Sequence, residues 1–528
     1  MSQEIEKNKY CPAGHSYKVF VNGFCLLCTK EHFIQEFKTW SSGNANINKI
    51  IQESQINDKY IKLQWIPYDN FRNIEHIADG GNGSVYSAKL ENGIKWKWNF
   101  IKQDWEYALI DCKVALKEIK DSRFEFLEVT TITNGTIINY FGISKNPSTQ
   151  NYIIVMEFFD GSLHNFLTKK FWDLGWQSKI YILSFIAECL ERFHEKNLIH
   201  CDLHSGNILI DLNFHFFDPG SDLGIDFGLC KLENDLILNS NNKINKISGS
   251  VPYVPPEVLK GNEFTREGDV YSFGGIMYEI VTAQRPFSDQ AHDTYLMIDI
   301  CNGVRPKVPD FMLNWIPEWY LDLMYRCWSD DLSERPTSVE LSNLFLEILE
   351  KLVGNIVDNN VMRQLQIAEE NQKNTSKSQK QELFELFSYS SKLHPQSCNI
   401  SRYIHTFHGL HYLLEDLKSG KSPGHSYYRK FIGFDDGICC LCSNEHFVQE
   451  FKTWSSGNAK IDRIIQGSQI NDKYVKLQWI PYNNFQNIEH IADGSVYSAE
   501  IENGIKWKWN FIKQDFGNIN CFKRNKRF

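Results

Sequence analysis

The segment His200-Cys-Asp202-Leu-His-Ser-Gly-Asn207-Ile-Leu-Ile sets an aspartate and an asparagine five residues apart, just ahead of an apolar strand. That spacing suits a carboxylate accepting a hydroxyl proton beside an amide oxygen that ligates Mg2+. Downstream comes Ile225-Asp226-Phe-Gly-Leu; upstream, Val114-Ala-Leu-Lys117 is an apolar strand delivering one lysine. Further upstream, Ile77-Ala-Asp-Gly-Gly-Asn-Gly-Ser-Val85 is a glycine-rich run. Glycines let backbone amides approach phosphates, and the valine that follows can pack over a purine. Taken singly, a glycine-rich hairpin or a strand ending in lysine is ordinary structure. The Asp202–Asn207 spacing is the specific signal.

The elements that must position these residues are legible in outline. From Phe71 to about Lys120, β-branched and aromatic runs alternate with Gly and Asn, which predicts antiparallel strands. From Trp176 onward amphipathic helical stretches dominate, among them Ile180–His194 and Asp269–Thr282. A strand-rich lobe followed by a helical lobe gives an α+β fold class. At 528 residues, the length implies about three structural units. A net charge of −9 provides no field for a polyanion, so nucleic acid is not expected as a partner. The fourteen cysteines are mostly scattered, as in a reducing compartment. The polar Met1–Tyr10 stretch and the lack of a run near 18 apolar residues predict a cytoplasmic protein with no membrane span.

Three further motifs, Pro255-Pro-Glu257, Asp269-Val-Tyr-Ser-Phe-Gly and Cys327-Trp-Ser-Asp-Asp-Leu-Ser-Glu-Arg335-Pro, complete a series of seven. In order and spacing, the series resembles the protein-kinase superfamily, closest to its tyrosine-kinase-like group. The flanking Trp-Ser-Ser-Gly-Asn segment resembles a large fungal expansion of such kinases. The resemblance covers Phe71 to about Leu352 and implies a bilobal kinase fold, ATP and Mg2+, and protein substrates phosphorylated on serine or threonine. A pseudokinase scaffold is the alternative. Asp202 is implied as the base, Asn207 and Asp226 as Mg2+ ligands, and Lys117 as the phosphate-binding lysine. Lys117 would pair with Glu128, or with Glu125. Gly80 and Gly83 take the second and third glycine positions of the phosphate loop, with Ala78 at the first. Val85, Ala115, Met156 as gatekeeper, Glu157, Phe159 and Leu209 would surround the nucleotide. Glu257 and Arg335 are implied as a structural ion pair.

The sequence also departs from the family pattern. Cys201 stands where most kinases carry an arginine that holds an activation-segment phosphate, and His204 replaces the usual lysine. Asp222-Leu-Gly competes with Asp226-Phe-Gly as the metal-binding turn. Cys11-x3-His15 with Cys25-x2-Cys28 reads either as a zinc clip or as free buried cysteines. A repeat adds to this: Glu31–Ile77 matches Glu445–Ile491 at 39 of 47 positions. The second copy lacks Gly-Asn-Gly and everything after its first strands, so it is expected to be no kinase and to be poorly ordered or borrow a surface. The organisation expected is a zinc-ribbon-like module at 8–30, a helical linker at 31–65, a kinase domain at 66–354, a polar helical or linker tail at 355–422, and a partial duplicate of 13–104 at 423–528.

Overall fold

The computed structural model describes residues 11, 13–15, 20–21, 24–57, 63–80, 83–99, 102–119, 138–211, 223–226, 230–233, 236, 246–376, 378, 380–381, 402–409, 485–492, 496–501, 505–510 and 515–519. The chain divides into two compact units, Met1–Tyr412 and Leu413–Phe528.

The first unit begins with a short hairpin, β1 (Phe20–Val21) and β2 (Phe24–Cys25), then helices α1 (Leu26–Glu36) and α2 (Ala45–Asn57) and strand β3 (Gln64–Trp65). Seven strands follow: β4 (Phe71–Gly80), β5 (Gly83–Leu90), β6 (Ile94–Asn99), β7 (Asp104–Ala108), β8 (Lys113–Ile119), β9 (Tyr140–Lys145) and β10 (Tyr152–Glu157). Five of these form an antiparallel sheet with β3 added in parallel at its edge, in the order β3-β9-β10-β8-β5-β4. Strand β8 is central and reads Lys-Val-Ala-Leu-Lys-Glu-Ile; Val114, Ala115 and Leu116 are buried in succession because both its faces are covered. The hairpin β6–β7 stands outside this sheet and joins β1 and β2 in another, ordered β1-β2-β6-β7. Helix α1 seals the join. His32 stacks on Trp98 at 3.6 Å, Phe33 meets the Trp105 ring at 4.4 Å, and the Glu36 carboxylate accepts from Lys95 Nζ and from Trp105 Nε1.

The second lobe contains β11 (Gly161–Ser162), α3 (Leu163–Lys170), α4 (Trp176–Glu195), β12 (Leu198–Ile199), β13 (Ile208–Ile210), β14 (Leu223–Ile225), β15 (Lys231–Leu232) and β16 (Lys246–Gly249). It continues with α5 (Pro256–Leu259), α6 (Arg266–Thr282), α7 (Thr294–Cys301), α8 (Glu318–Cys327), α9 (Ser338–Val353), α10 (Asn360–Asn374) and β17 (Arg402–His405). Helix α4 buries Ile180, Leu183, Ala187, Leu190 and His194, one face at helical spacing, and packs along α9. Helix α9 begins with a capping box between Thr337 and Glu340. Helix α6 is buried around its whole circumference, including Asp269 and Glu279. The α+β expectation holds, as do helices over Ile180–His194 and Asp269–Thr282. Residues 366–374, expected as a solvated helix or linker, belong to α10. Its Met362, Leu365, Ala368 and Gln372 are buried at helical spacing on one stripe, while Ile367 lies off it and is exposed. Among the described residues no helix is long and apolar enough to cross a membrane.

In the second unit two hairpins are described, β18 (Phe485–Ala492) with β19 (Val496–Ile501), and β20 (Ile505–Asn510) with β21 (Asp515–Ile519). The first repeats β4–β5 in register: Phe485 faces Ile501 as Phe71 faces Leu90, and Ala492 faces Val496 as Ala78 faces Val85. Both copies slip register at matching places, between Gln486 and Glu489 and between Arg72 and Glu75. The hairpin therefore pairs in the second copy although its sequence lacks Gly-Asn-Gly.

Candidate active site

Strand β8 presents Lys117 between Val85 of β5 and Ile154 of β10, each directly opposite it in the sheet. Two residues earlier, Ala115 faces Met156, and both are buried. Ala78 lies opposite Val85, and Gly80 opposite Gly83. Gly83 has a steric reason to be glycine: a methyl group there would stand 2.0 Å from the Glu118 carbonyl oxygen, so β5 and β8 could not approach. Glu157 ends β10, donates its amide to the Asn139 carbonyl and accepts from Asn139 Nδ2. The Phe159 ring lies so close to Gly224 that a methyl group there would be 2.9 Å from its Cζ, and Gly224 pairs with Leu209. These residues run from the glycine hairpin to the start of the helical lobe.

Opposite them, Lys117 Nζ meets Asp226 at 2.6 Å from Oδ2 and 2.9 Å from Oδ1, both side chains being largely buried. The Asp226 amide donates to the Asn207 carbonyl at 2.8 Å, and Asn207 Nδ2 donates to the Asp202 carbonyl at 2.8 Å and to Asp202 Oδ2 at 3.2 Å. Lys117 and Asp226, 109 positions apart in sequence, are thereby joined, and through Asp226 the chain of contacts reaches Asn207 and Asp202. Glu128 and Glu125, and the rival Asp222, lie outside the described residues.

What fixes the Asp202 loop was not read from the sequence. Asp269, at the start of buried α6, accepts from the His200 amide at 2.8 Å and the Cys201 amide at 3.1 Å, and its Oδ2 lies 3.1 Å from His194 Nε2. This grip holds Cys201 in a left-handed conformation, φ +64°, which a non-glycine residue adopts only when its surroundings impose it. Burial pushes the Cys201 thiol well up, so it is a neutral filler. His204 is buried as well. Its Nδ1 accepts from the Gly206 amide at 3.0 Å, which leaves the proton on Nε2, 3.6 Å from Asp202 Oδ1. Burial, with Arg285 adding to it, brings His204 down to about 4 and keeps it neutral.

Beneath the loop, the Tyr253 hydroxyl donates to Glu279 Oε2 at 2.7 Å, while His164 Nδ1 meets Glu279 Oε1 and Arg285 lies 3.9 Å away. The available signal for this network was a lone glutamate in an otherwise apolar helical run. The ion pair expected between Glu257 and Arg335 is present and bidentate, at 2.7 and 3.0 Å, with the arginine side chain fully buried.

A second cluster sits at the N-terminal hairpin. One ligand atom from each of Cys11, His15, Cys25 and Cys28 lies within 4.8 Å of the others. Cys11 Sγ is 3.6 Å from Cys28 Sγ, and His15 Nδ1 is 3.4, 3.4 and 3.1 Å from the sulfurs of Cys11, Cys25 and Cys28. Tetrahedral zinc with Zn–S near 2.3 Å requires ligand edges of about 3.7 Å, so three thiols and an imidazole at these separations fit that ion.

Comparison with known proteins agrees with this geometry. Residues 71–345 match the family described as protein tyrosine and serine/threonine kinase. The probable serine/threonine-protein kinase roco5 of Dictyostelium discoideum is 30% identical over 294 residues, 53% of this chain but 10% of that protein. The probable serine/threonine-protein kinase pats1 of the same organism is 27% identical over 307 residues, 57% of this chain and 9% of that protein. The receptor-interacting serine/threonine-protein kinase 4 of Mus musculus is 28% identical over 296 residues, 53% of this chain and 34% of that protein. The chain thus spans between 9% and 34% of the length of these relatives.

Proposed function

The chain belongs to the protein tyrosine and serine/threonine kinase family, and from that membership we propose that it transfers the γ-phosphate of ATP to serine or threonine hydroxyls of protein substrates. The observation that carries this reading is the unbroken run of contacts Lys117–Asp226–Asn207–Asp202. In this reading Lys117 holds the α- and β-phosphates, and Asn207 and Asp226 hold Mg2+. When bound, the metal neutralises charge on the phosphate oxygens. Asp202 orients the acceptor hydroxyl and takes its proton at a carboxylate oxygen; its low intrinsic pKa makes that transfer late. Positioning and charge neutralisation are what phosphoryl transfer asks of a protein. The relatives' names, all serine/threonine kinases, support the choice of acceptor.

The test is to incubate the full chain with labelled Mg-ATP and a generic protein acceptor. Label should appear on serine or threonine, and Asp202→Asn and Lys117→Met should each lose most of the rate. Equal labelling by wild type and Asp202→Asn would reject phosphotransfer and leave a nucleotide-binding scaffold. Dominant phosphotyrosine would reject only the acceptor specificity.

The reading extends to Zn2+ on Cys11, His15, Cys25 and Cys28, and to a reducing cytoplasmic setting that keeps these thiols available. One zinc per chain by elemental analysis, lost in Cys25→Ser with a lower melting temperature, is the expected result; zinc-free protein of full stability would exclude the clip.

A further inference from the structure

The chain beyond the helical lobe returns to the kinase at its activation segment. Strand β17 lies antiparallel to β16, with Arg402 opposite Gly249, Tyr403 opposite Ser248, Ile404 opposite Ile247 and His405 opposite Lys246. Among the described residues β16 has no other strand neighbour. The contact is packed: Ile247 and Ile404 are 5% and 6% exposed and belong to the main core, and Phe407 lies against it. Thr406 is fully buried, its hydroxyl accepting from the Gly409 amide at 3.1 Å.

The direction of this strand gives it meaning. Strand β16 ends at Gly249, where a methyl group would stand 3.9 Å from Asp202 Oδ1. A peptide antiparallel to β16 therefore has its N-terminal end beside the carboxylate and its remaining residues running away along the segment. Strand addition suits a protein acceptor, because ladder hydrogen bonds supply affinity for any extended chain while pockets under alternate side chains supply selectivity. Ile404 is a buried side chain of this strand, directly opposite Ile247.

We propose that Arg402–His405 occupies the β16 edge in cis and there competes with an extended acceptor peptide that would add as a strand. The acceptor half of this proposal rests on the phosphotransfer reading above; the docking of the strand does not. A tethered segment acts at an effective concentration in the millimolar range, so even a weak strand holds the edge against a dilute acceptor. The acceptor must displace it, which raises KM by the ratio of closed to open forms. Once the acceptor is seated, Lys117, Asn207 and Asp226 are as before, and kcat is unaffected.

The experiment compares the full-length chain with its Ile404→Asp variant, and adds a synthetic peptide covering residues 399–409. In Ile404→Asp, KM for the acceptor should fall by about fivefold or more, with kcat within about twofold. The peptide, added to Ile404→Asp protein, should inhibit competitively against acceptor and not against ATP, while the same peptide carrying Ile404→Asp should be inert. An unchanged KM in a variant that melts like wild type, or inhibition that acceptor does not relieve, overturns the proposal. Fluorescence anisotropy of the labelled peptide on Ile404→Asp protein reads docking without catalysis. Binding with no phosphotransfer by either protein would reject the kinase reading and leave the docking. Phosphotransfer with no binding would do the reverse.

Discussion

At the scale of single residues, Arg335 is a buried charge that its neighbours answer. Arg335 makes two contacts to Glu257 and donates as well to the Glu267 and Ser329 carbonyls, so each of its three guanidinium nitrogens donates. Removing one partner of such a pair leaves a buried charge uncompensated, which is worse than removing both. Glu257→Gln should therefore lower unfolding stability by about 3 kcal/mol or more. Chemical denaturation of the two proteins measures this, and a loss below about 1 kcal/mol would mean that the carbonyls alone satisfy Arg335. Cys201 is answered differently. It occupies the place of a phosphate-binding arginine, yet its backbone is held by Asp269, so the loop has its shape without a phosphate.

At the scale of elements, α10 is fastened to the start of α4. The Trp176 amide donates to Glu369 Oε2 at 2.9 Å, and Lys179, wholly buried, reaches Gln372 Oε1 at 3.3 Å beneath the Phe171 and Trp176 rings. Burial lowers Lys179 to about 8 despite the nearby Glu369 carboxylate. The unfolded chain keeps that proton up to about 10.5, so between those values unfolding takes up a proton and stability rises with pH. The contribution is present above 10.5 and is lost as pH falls through 8. Lys179→Met should raise stability at pH 7 by about 1 kcal/mol or more, because an apolar chain needs no solvation there. The variant should also lack the wild type's rise between pH 8 and 10.5. Melting curves across that range decide it, and a variant less stable at pH 7 would show that the contact to Gln372 outweighs the burial of charge.

At the scale of the molecule, two units share one ancestral stretch but only the first carries the Lys117–Asp202 constellation. Since Met1–Tyr412 is compact by itself and keeps β17, truncation after Tyr412 should leave melting temperature and phosphotransfer rate essentially unchanged. A fall of several degrees would mean that the second copy contributes about a kcal/mol or more to the first. A several-fold rise in rate would make the second copy an inhibitor.

The sequence by itself determined the chemistry and the order of elements. Asp202, Asn207, Asp226 and Lys117 stand in motifs whose information is local, and hydrophobic periodicity carried α4 and α6. Tertiary structure alone decided what no local pattern records. Asp269 reads in sequence as a residue opening a helix, and only folding brings it under the amides of His200 and Cys201. The expected boundary near residue 66 did not reveal that β2 would pair with β6, or that α1 would close over Trp98 and Trp105. The return of β17 to β16 was equally silent. Its ladder is made by backbone groups common to every residue, so the pairing leaves no mark in side-chain types until the chain is folded.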